Sequence, residues 1–209
     1  MDAQHLITDA AALEHLYGAP SEASLVKEVD YLHPHYVAMI KAAPFAVLAT
    51  SGPGGLDASP RGDAPGFITV ADEKTLLIPD RRGNNRIDSL RNILADPRVA
   101  LLLLIPGVGE TLRINGRAEI SIDPELLQRF AVDGKPPRSV LVIHVKTVFF
   151  QCSRAILRSE LWNPARQIAR AALPSTGTIL RDLSGARFDG AAFDRDWPAR
   201  AKAQLYQAC

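Results

Sequence analysis

The pattern of hydrophobic and polar positions divides the chain into three segments. Residues 1–43 alternate at helical spacing, with Asp9 and Pro34 placed where helices begin. Residues 44–160 contain short apolar or alternating runs, which are typical of β-strands. Residues 161–209 return to helical and irregular patterns. We therefore predict an N-terminal helical extension, a β-rich domain, and a C-terminal helical and irregular extension of that same domain.

The β-rich segment contains seven extended runs. They are FAVLATS, LDASPRGD, PGFITV, TLLIP, RVALLLLIP, TLRINGRAEISI and SVLVIHVKTVFFQCS. RVALLLLIP is the most apolar and is expected at the centre of the sheet, while Gly116 in the next run indicates a β-bulge. Only RIDSLRNILA and PELLQRFAV between them are typical of helices, too few for regular βαβ units. The pattern favours a mostly antiparallel barrel with added helices, an α+β fold.

The helix over residues 86–95 is expected to be amphipathic. Its sequence places Ile87, Leu90, Ile93 and Leu94 on one face, which would pack against the sheet. Later in the chain, Arg154, Arg158 and Trp162 are spaced four residues apart, as on one face of a helix.

The charge balance excludes several classes of partner. The chain has 24 Lys and Arg residues against 23 Asp and Glu, for a formal net charge of +1. This balance gives no general attraction to nucleic acid or anionic membranes. The longest apolar run has about ten residues, well short of the roughly 20 that a spanning helix needs. We predict a protein of the cytoplasm that binds neither nucleic acid nor membrane.

The cysteine and histidine residues indicate no metal site. Cys152 and Cys209 form no CxxC pair, and Cys152 ends an apolar run, where a buried, inert thiol is expected. No disulfide is predicted, which is typical of a reducing compartment. His33 and His35 lack a nearby third ligand, and a helix start explains Pro34 between them.

A basic stretch, IPDRRGNNRIDSLRNI, follows the TLLIP run directly. A helix that begins here would present unpaired N–H groups and a partial positive charge, and Asn84 or Asn85 could cap it. Beside Arg86, such an end can bind a phosphate. The alternative is a solvated, capped loop, and the spacing alone does not decide between the two.

Two further polar groups interrupt the strands. Arg61 lies among small residues in LDASPRGD, where a ligand could approach the backbone or a turn could form. Thr111, Arg113 and Asn115 alternate and therefore share one face of a strand. That face is either exposed to water or in contact with a polar ligand.

Together, these runs in this order resemble the pyridoxamine 5′-phosphate oxidase-like family of FMN-binding split-barrel proteins. The resemblance covers roughly residues 30–175 and is most specific over residues 76–120. It implies a six-stranded antiparallel split barrel over residues 44–160 that forms a homodimer, with FMN in clefts at the subunit interface. It is similar, more narrowly, to a bacterial subgroup of unknown substrate.

The resemblance also implies a set of FMN-binding residues. Arg61 and the pair Asn85–Arg86 match the positions that hold the phosphate, with neutral Asn85 where a basic residue is common. Pro79 and Asp80 match a position that contacts the flavin, here without a side-chain hydroxyl. The full set is Arg61, Pro79, Asp80, Asn84, Asn85, Arg86, Thr111, Arg113, Ser159 and Trp162, of which the last two would reach the partner's flavin.

The function implied is that of an FMN-dependent oxidoreductase acting on a small molecule. No catalytic residue is predicted, because a bound flavin supplies the redox chemistry. The C-terminal run DRDWPARAKAQLYQAC has no histidine, which argues against pyridoxamine phosphate oxidase activity itself. The alternative is a non-catalytic protein that binds or carries a flavin, a deazaflavin or haem.

Overall fold

A computed structural model describes residues 5–206 of the chain. Seven strands form one antiparallel sheet in the order β2-β1-β5-β6-β7-β4-β3. The strands are β1 (Phe45–Gly52), β2 (Gly55–Gly62), β3 (Thr69–Asp72), β4 (Thr75–Pro79), β5 (Arg98–Leu104), β6 (Thr111–Ser121) and β7 (Val140–Gln151). The mixed α+β class with an antiparallel split-barrel sheet is confirmed. The sheet has seven strands where six were predicted.

Eight α-helices surround the sheet in the described part of the chain. They are α1 (Ala10–Tyr17), α2 (Glu22–Val26), α3 (Pro34–Ala42), α4 (Asp88–Ala95), α5 (Pro124–Arg129), α6 (Arg154–Ser159), α7 (Thr176–Leu183) and α8 (Gly190–Gln204). Two short 3-10 turns, Pro164–Arg166 and Arg170–Ala172, connect α6 to α7. Asp9 caps α1 by accepting a hydrogen bond from the N–H of Ala12 at 2.9 Å, and Pro34 opens α3, both as predicted.

The core lies on one face of the sheet, where alternate residues of each strand point inward. β5 shows this clearly: Val99, Leu101 and Leu103 are buried, whereas Leu102 between them is 38% exposed. The strand is therefore apolar on both faces, although it buries only one within the single chain. It lies beside β6, which is the central strand, so the prediction that RVALLLLIP forms the centre was wrong by one position.

The predicted bulge in β6 is confirmed. The register with β7 shifts between Asn115 and Gly116. A Cβ atom at Gly116 would lie 2.5 Å from the carbonyl oxygen of His144, so only glycine allows the strands to approach so closely.

Two helices, α2 and α6, end earlier than the helical spacing of the sequence indicated. α2 ends at Val26 because the chain then turns to pair Val29 with Val148 of β7. α6 ends at Ser159, where Glu160 is left-handed with φ 49°, so Trp162 does not continue the face of Arg154 and Arg158.

The helix predicted over residues 86–95 begins at Asp88. Ile87 precedes it in the left-handed region, with φ 53°. This conformation is costly for a β-branched residue and turns the chain away from the helix axis. Ile93 is buried and Leu90 packs against the core, but Ile87 and Leu94 are exposed, so those two assignments to the buried face were wrong.

Helices α7 and α8 pack through two glycines. A Cβ atom added at Gly177 would lie 2.0 Å from the carbonyl oxygen of Gly190. The carboxylate of Asp194 also accepts a hydrogen bond from the N–H of Gly177 at 2.7 Å and one from the hydroxyl of Ser175. The backbones of the two helices are therefore in direct contact.

Replacing Gly177 by alanine is expected to separate these helices. The methyl group has no space against the Gly190 carbonyl, and overpacking of this kind costs about 1–3 kcal/mol. Hydrogen exchange followed by mass spectrometry should show faster exchange over residues 176–204, while the strands stay protected. Gly54, where a Cβ atom meets nothing within 4 Å, provides the control. Equal protection of α8 in Gly177→Ala and Gly54→Ala would contradict the expectation.

Candidate functional site

A cavity of about 880 Å³ opens where β2, the end of β4 and several loops meet. Its walls come from β2, the loop of residues 80–87, the start of α4, the loop of residues 135–139, and α8. Six of the ten predicted site residues line it. They are Arg61, Pro79, Asp80, Asn84, Asn85 and Arg86. The volume lies within the range of small-molecule and cofactor sites.

Two hydrogen bonds fix α4 against the β1–β2 hairpin. The Ser89 hydroxyl donates to the Asp57 carboxylate at 3.0 Å, and the Asn92 amide donates to the Thr50 hydroxyl at 3.1 Å. Gly52 allows this approach, because a Cβ atom there would lie 2.1 Å from the Asn92 side chain. As a result, the loop before α4 is held beside β2.

Arg61 lies half-buried on β2, facing this loop. Its Nη1 donates to the Ser59 hydroxyl at 2.7 Å and to the Pro60 carbonyl at 2.9 Å. Burial lowers the pKa of Arg61, while the nearby carboxylates of Asp80 and Asp57 oppose that shift. A guanidinium held in this way favours a second, anionic partner.

Asp80 follows β4 and faces Arg61. Its backbone N–H donates to the Ser139 carbonyl at 2.9 Å, which continues the pairing of Pro79 with Val140. Burial raises the pKa of the Asp80 carboxyl, and the positive charges of Arg61 and Arg138 oppose this rise. Arg138 is a member of the site that the sequence reasoning missed, although it closes a conspicuous KPPR run.

The loop before α4 differs from the predicted capped helix end. Neither Asn84 nor Asn85 caps α4, because Ile87 occupies the N-cap position. The Asn84 side chain instead accepts from the backbone N–H of Arg86 at 3.1 Å. Asn85 is left-handed with φ 59°, a conformation that asparagine tolerates better than most residues. Its backbone therefore explains an asparagine where a basic residue was expected.

Arg86 reaches outward from this loop. Its side chain is 73% exposed, and its Nε lies 2.7 Å from the Asp88 carboxylate. Asp88 also occupies the first turn of α4, where an anionic ligand would otherwise meet the helix end. Exposed ion pairs contribute little, so this contact leaves Arg86 open to exchange one anion for another.

Arg81 belongs to a cluster that the sequence did not reveal. Its Nε lies 2.7 Å from the carboxylate of Asp63, in a pair whose side chains are only 20% and 6% exposed. Arg81 Nη1 also donates to the Phe130 carbonyl at 2.8 Å, and the Tyr206 hydroxyl donates to Asp63 at 2.5 Å. Arg81 therefore holds the loop in place.

The other four predicted site residues lie elsewhere. Thr111 and Arg113 stand on the outer face of β6, and Arg113 lies over the ring of Phe149 at 5.5 Å. The Trp162 indole donates to the Val108 carbonyl at 2.7 Å, and the Ser159 hydroxyl donates to its own helix at Ile156. None of these four residues lines the cavity of its own chain.

Positive charge predominates around the cavity. Six basic and three acidic side chains line it: Arg61, Arg81, Arg82, Arg86, Lys135 and Arg138 against Asp57, Asp80 and Asp88. This excess is local, because the whole chain carries a formal charge of only +1. A concave site with such an excess concentrates anions.

A family model described as pyridoxamine 5′-phosphate oxidase matches residues 32–152, more than half of the chain. The chain belongs to the pyridoxamine 5′-phosphate oxidase family. The match includes β1 to β7 and all the cavity residues of the 80–87 loop, and ends before α6. The family predicted from the order of motifs is thereby confirmed.

Several solved structures are similar in fold to this family member. A HupZ variant from Group A Streptococcus is 17% identical, with a TM-score of 0.48, over 57% of this chain and 99% of that one. A putative pyridoxamine 5′-phosphate oxidase from Lactobacillus delbrueckii is 21% identical, with a TM-score of 0.44, over 58% of this chain and 95% of that one. A Clostridium acetobutylicum protein related to general stress protein 26 is 12% identical, with a TM-score of 0.45, over 56% of this chain and 86% of that one. No curated protein matched in sequence.

Two further findings concern residues 5–206 only. None of the helices there is both long and apolar enough to cross a membrane. The same residues contain no group of three or more His, Cys, Asp or Glu side chains arranged to hold a metal ion. Cys152 is exposed in the turn after β7, so the prediction of a buried thiol was wrong, and Cys209 lies outside the described residues.

Proposed function

We propose that this member of the family binds FMN in the basic cavity and acts as an FMN-dependent oxidoreductase on a small molecule. The observation that carries the proposal is the meeting of Arg61 with the Asn84–Arg86 loop around one cavity with excess positive charge. These are the residues expected to hold the FMN phosphate. Arginine suits this role because its planar fork binds phosphate through paired hydrogen bonds.

The donors of Arg61 fit a phosphate. Nη1 makes both hydrogen bonds that the described residues give to this side chain, to Ser59 and Pro60. A guanidinium has five N–H donors, so Nε and Nη2 are the groups we assign to the phosphate. Arg86 would add a second charge from the loop before α4 by exchanging its exposed contact with Asp88.

The turn after β4 would contact the flavin mainly through acceptors. Pro79 has no N–H, and the N–H of Asp80 is already bonded to Ser139. Carbonyl oxygens and the Asp80 carboxylate therefore remain for this contact. FMN, when bound, would supply the redox chemistry, while the chain binds it, orients it and adjusts the surrounding charge.

A homodimer would complete the site. Thr111, Arg113, Ser159 and Trp162 do not line the cavity of their own chain, and we infer that they serve the cavity of a partner copy. The outer face of the sheet supports this arrangement, because Leu102 of β5 and Phe45 of β1 are exposed apolar residues there. Apolar side chains on a sheet face favour burial against another surface.

Replacing Arg86 by alanine is expected to weaken FMN binding about tenfold, because the phosphate loses one charged donor. Flavin fluorescence quenching measures the dissociation constant. Arg91→Ala is the matched control, since Arg91 is exposed on the adjoining helix α4 and does not line the cavity. Equal dissociation constants for the two variants would remove Arg86 from the proposed site.

Enzyme and carrier differ in what happens after binding. The protein should take up FMN on incubation, and the bound flavin should be reduced by NADH or NADPH and reoxidised in a stopped-flow experiment. Uptake without reduction by either donor would favour a flavin carrier. A protein that gains no FMN would refute the proposal, and mass spectrometry of the co-purified ligand would then decide between a deazaflavin and haem.

A further inference from the structure

The C-terminal helix α8 forms one wall of the cavity. Trp197, Ala201, Gln204 and the following Leu205 and Tyr206 line it. This helix lies beyond residues 32–152, the part that matches the family model. Part of the cavity wall therefore comes from outside the segment that the family model matches.

Both ends of α8 are anchored. Near its start, Gly190 contacts Gly177 of α7, and Asp194 accepts the N–H of Gly177 at 2.7 Å. Just past its end, Tyr206 donates to Asp63, and Arg81 lies 5.5 Å from the centre of the Tyr206 ring. Asp63 follows β2 directly, so these contacts of Tyr206 connect the end of α8 to the strand that carries Arg61.

Trp197 lies between these anchors and is held in one orientation. Its ring stacks on Phe193, with centroids 5.3 Å apart and planes 11° from parallel, and the Arg200 guanidinium lies 5.3 Å from its centre. Even so, the residue is 44% exposed and lines the cavity. A rigid, exposed indole loses little freedom when a flat ring stacks on it.

The charges of the cavity add no preference for an anionic substrate once FMN is bound, because Arg61 and Arg86 would face its phosphate and Arg81 is paired with Asp63. We propose that Trp197 selects the substrate of the flavin reaction by stacking on its planar ring, and that the substrate class is small molecules with an aromatic ring. The proposal rests on the proposed function for the flavin, but its ring preference can be measured separately.

The experiment compares two anions that differ in planarity. Benzoate and cyclohexanecarboxylate carry the same charge and number of carbons, but only benzoate has an aromatic face. Calorimetric titration of the FMN-loaded protein should give benzoate about 3- to 10-fold tighter binding, the contribution of one aromatic stack. Trp197→Ala should reduce this ratio to about one, and Trp197→Phe should keep most of it.

Phe188 supplies the matched control. It belongs to the same aromatic row, 5.7 Å from Phe193, but does not line the cavity. Phe188→Ala should leave the benzoate preference unchanged. Circular dichroism and thermal melting of each variant would establish that the fold is retained, and Trp197→Phe gives a second test if the alanine variant fails to fold.

The outcomes separate this proposal from the proposed function. No preference for benzoate in the native protein, or a preference that survives Trp197→Ala, would overturn the role of Trp197. If Trp197→Ala weakened FMN binding by the same 3- to 10-fold factor that is expected for the benzoate preference, this would also overturn the role of Trp197, because the indole would then face the flavin. If the native protein takes up no FMN, the proposed function fails, and the same titrations on the flavin-free protein still decide whether Trp197 selects planar rings.

Discussion

Replacing Arg61 by alanine is expected to lower the affinity for FMN about 10- to 100-fold, the largest effect of any single change in the cavity. A charge-assisted hydrogen bond contributes about 1.5–3 kcal/mol, and each 1.4 kcal/mol changes affinity tenfold. Arg61 also opposes the rise in the pKa of the half-buried Asp80 carboxyl, so the variant should raise that pKa further. Titration with FMN, followed by flavin fluorescence, measures the affinity.

Two variants make this result specific. Arg61→Lys keeps the charge but not the planar fork, so an intermediate affinity is expected. Arg98→Ala removes an exposed arginine that pairs with Asp96 outside the cavity, and FMN affinity should not change. An Arg61→Ala variant that binds FMN as the native protein does would place the phosphate elsewhere.

Mixed dimers would test whether the site is shared. An Arg61→Ala chain paired with an Arg113→Ala chain should contain one site with both residues intact and one with both replaced. Binding of one FMN per mixed dimer with native affinity is therefore expected. If both residues acted on the same flavin within one chain, each site of the mixed dimer would lack one of them, and no site of native affinity would appear.

Replacing Asp63 by alanine is expected to reduce the free energy of unfolding by about 3 kcal/mol. Asp63 and Arg81 are 6% and 20% exposed, and removing one partner of a buried pair costs about 3–5 kcal/mol. We expect the lower end because Arg81 keeps some contact with water. The Tyr206 hydroxyl also loses its acceptor, so residues near the end of α8 should exchange faster. Urea denaturation measures the loss, with the exposed pair of Asp196 and Arg195 as control, since Asp196→Ala should change stability little.

The same variant should change how stability depends on pH. Burial opposes ionisation of Asp63, but hydrogen bonds from Tyr206, the Ala64 N–H and Arg81 prevail and lower its pKa. A carboxyl with a lowered pKa in the folded state stabilises fully above its unfolded value of about 3.9 and loses this contribution as the pH falls through the folded value. The difference in the free energy of unfolding between the native protein and Asp63→Ala should therefore be constant near neutral pH and should shrink below about pH 4. A difference in unfolding free energy that does not depend on pH would contradict the lowered pKa of Asp63.

The sequence predicted local structure best where a single periodicity extends over a whole element. The alternation in β6 and β7, the helix starts at Asp9 and Pro34, and the bulge at Gly116 all follow from neighbouring residues alone. Predictions failed where the backbone enters the left-handed region, at Ile87 and Glu160, because neither residue type signals that conformation. The place of β5 beside the centre also depends on pairing, which the hydrophobicity of a strand does not fix.

The candidate site was predictable in part. Arg61 and the basic loop could be associated because a resemblance in the order of motifs links positions about 20 residues apart, and the cavity does bring them together. Asp63, Arg81 and Tyr206 carry no such signal. They meet across 18 and 143 positions of sequence, and each looks like an ordinary surface residue by itself.

The family, the strand-rich class and a positively charged turn after β4 were predictable from the sequence, because these depend on residue type, order and short-range periodicity. The fold was needed to show which charges share a cavity, that Arg81 is a half-buried anchor while Arg86 is exposed, and that Trp197 of α8 lines the same cavity as Arg61. Burial and charge pairing arise between elements that are distant along the chain, so neighbouring residues do not reveal them. A side chain's role depends on what the fold places beside it.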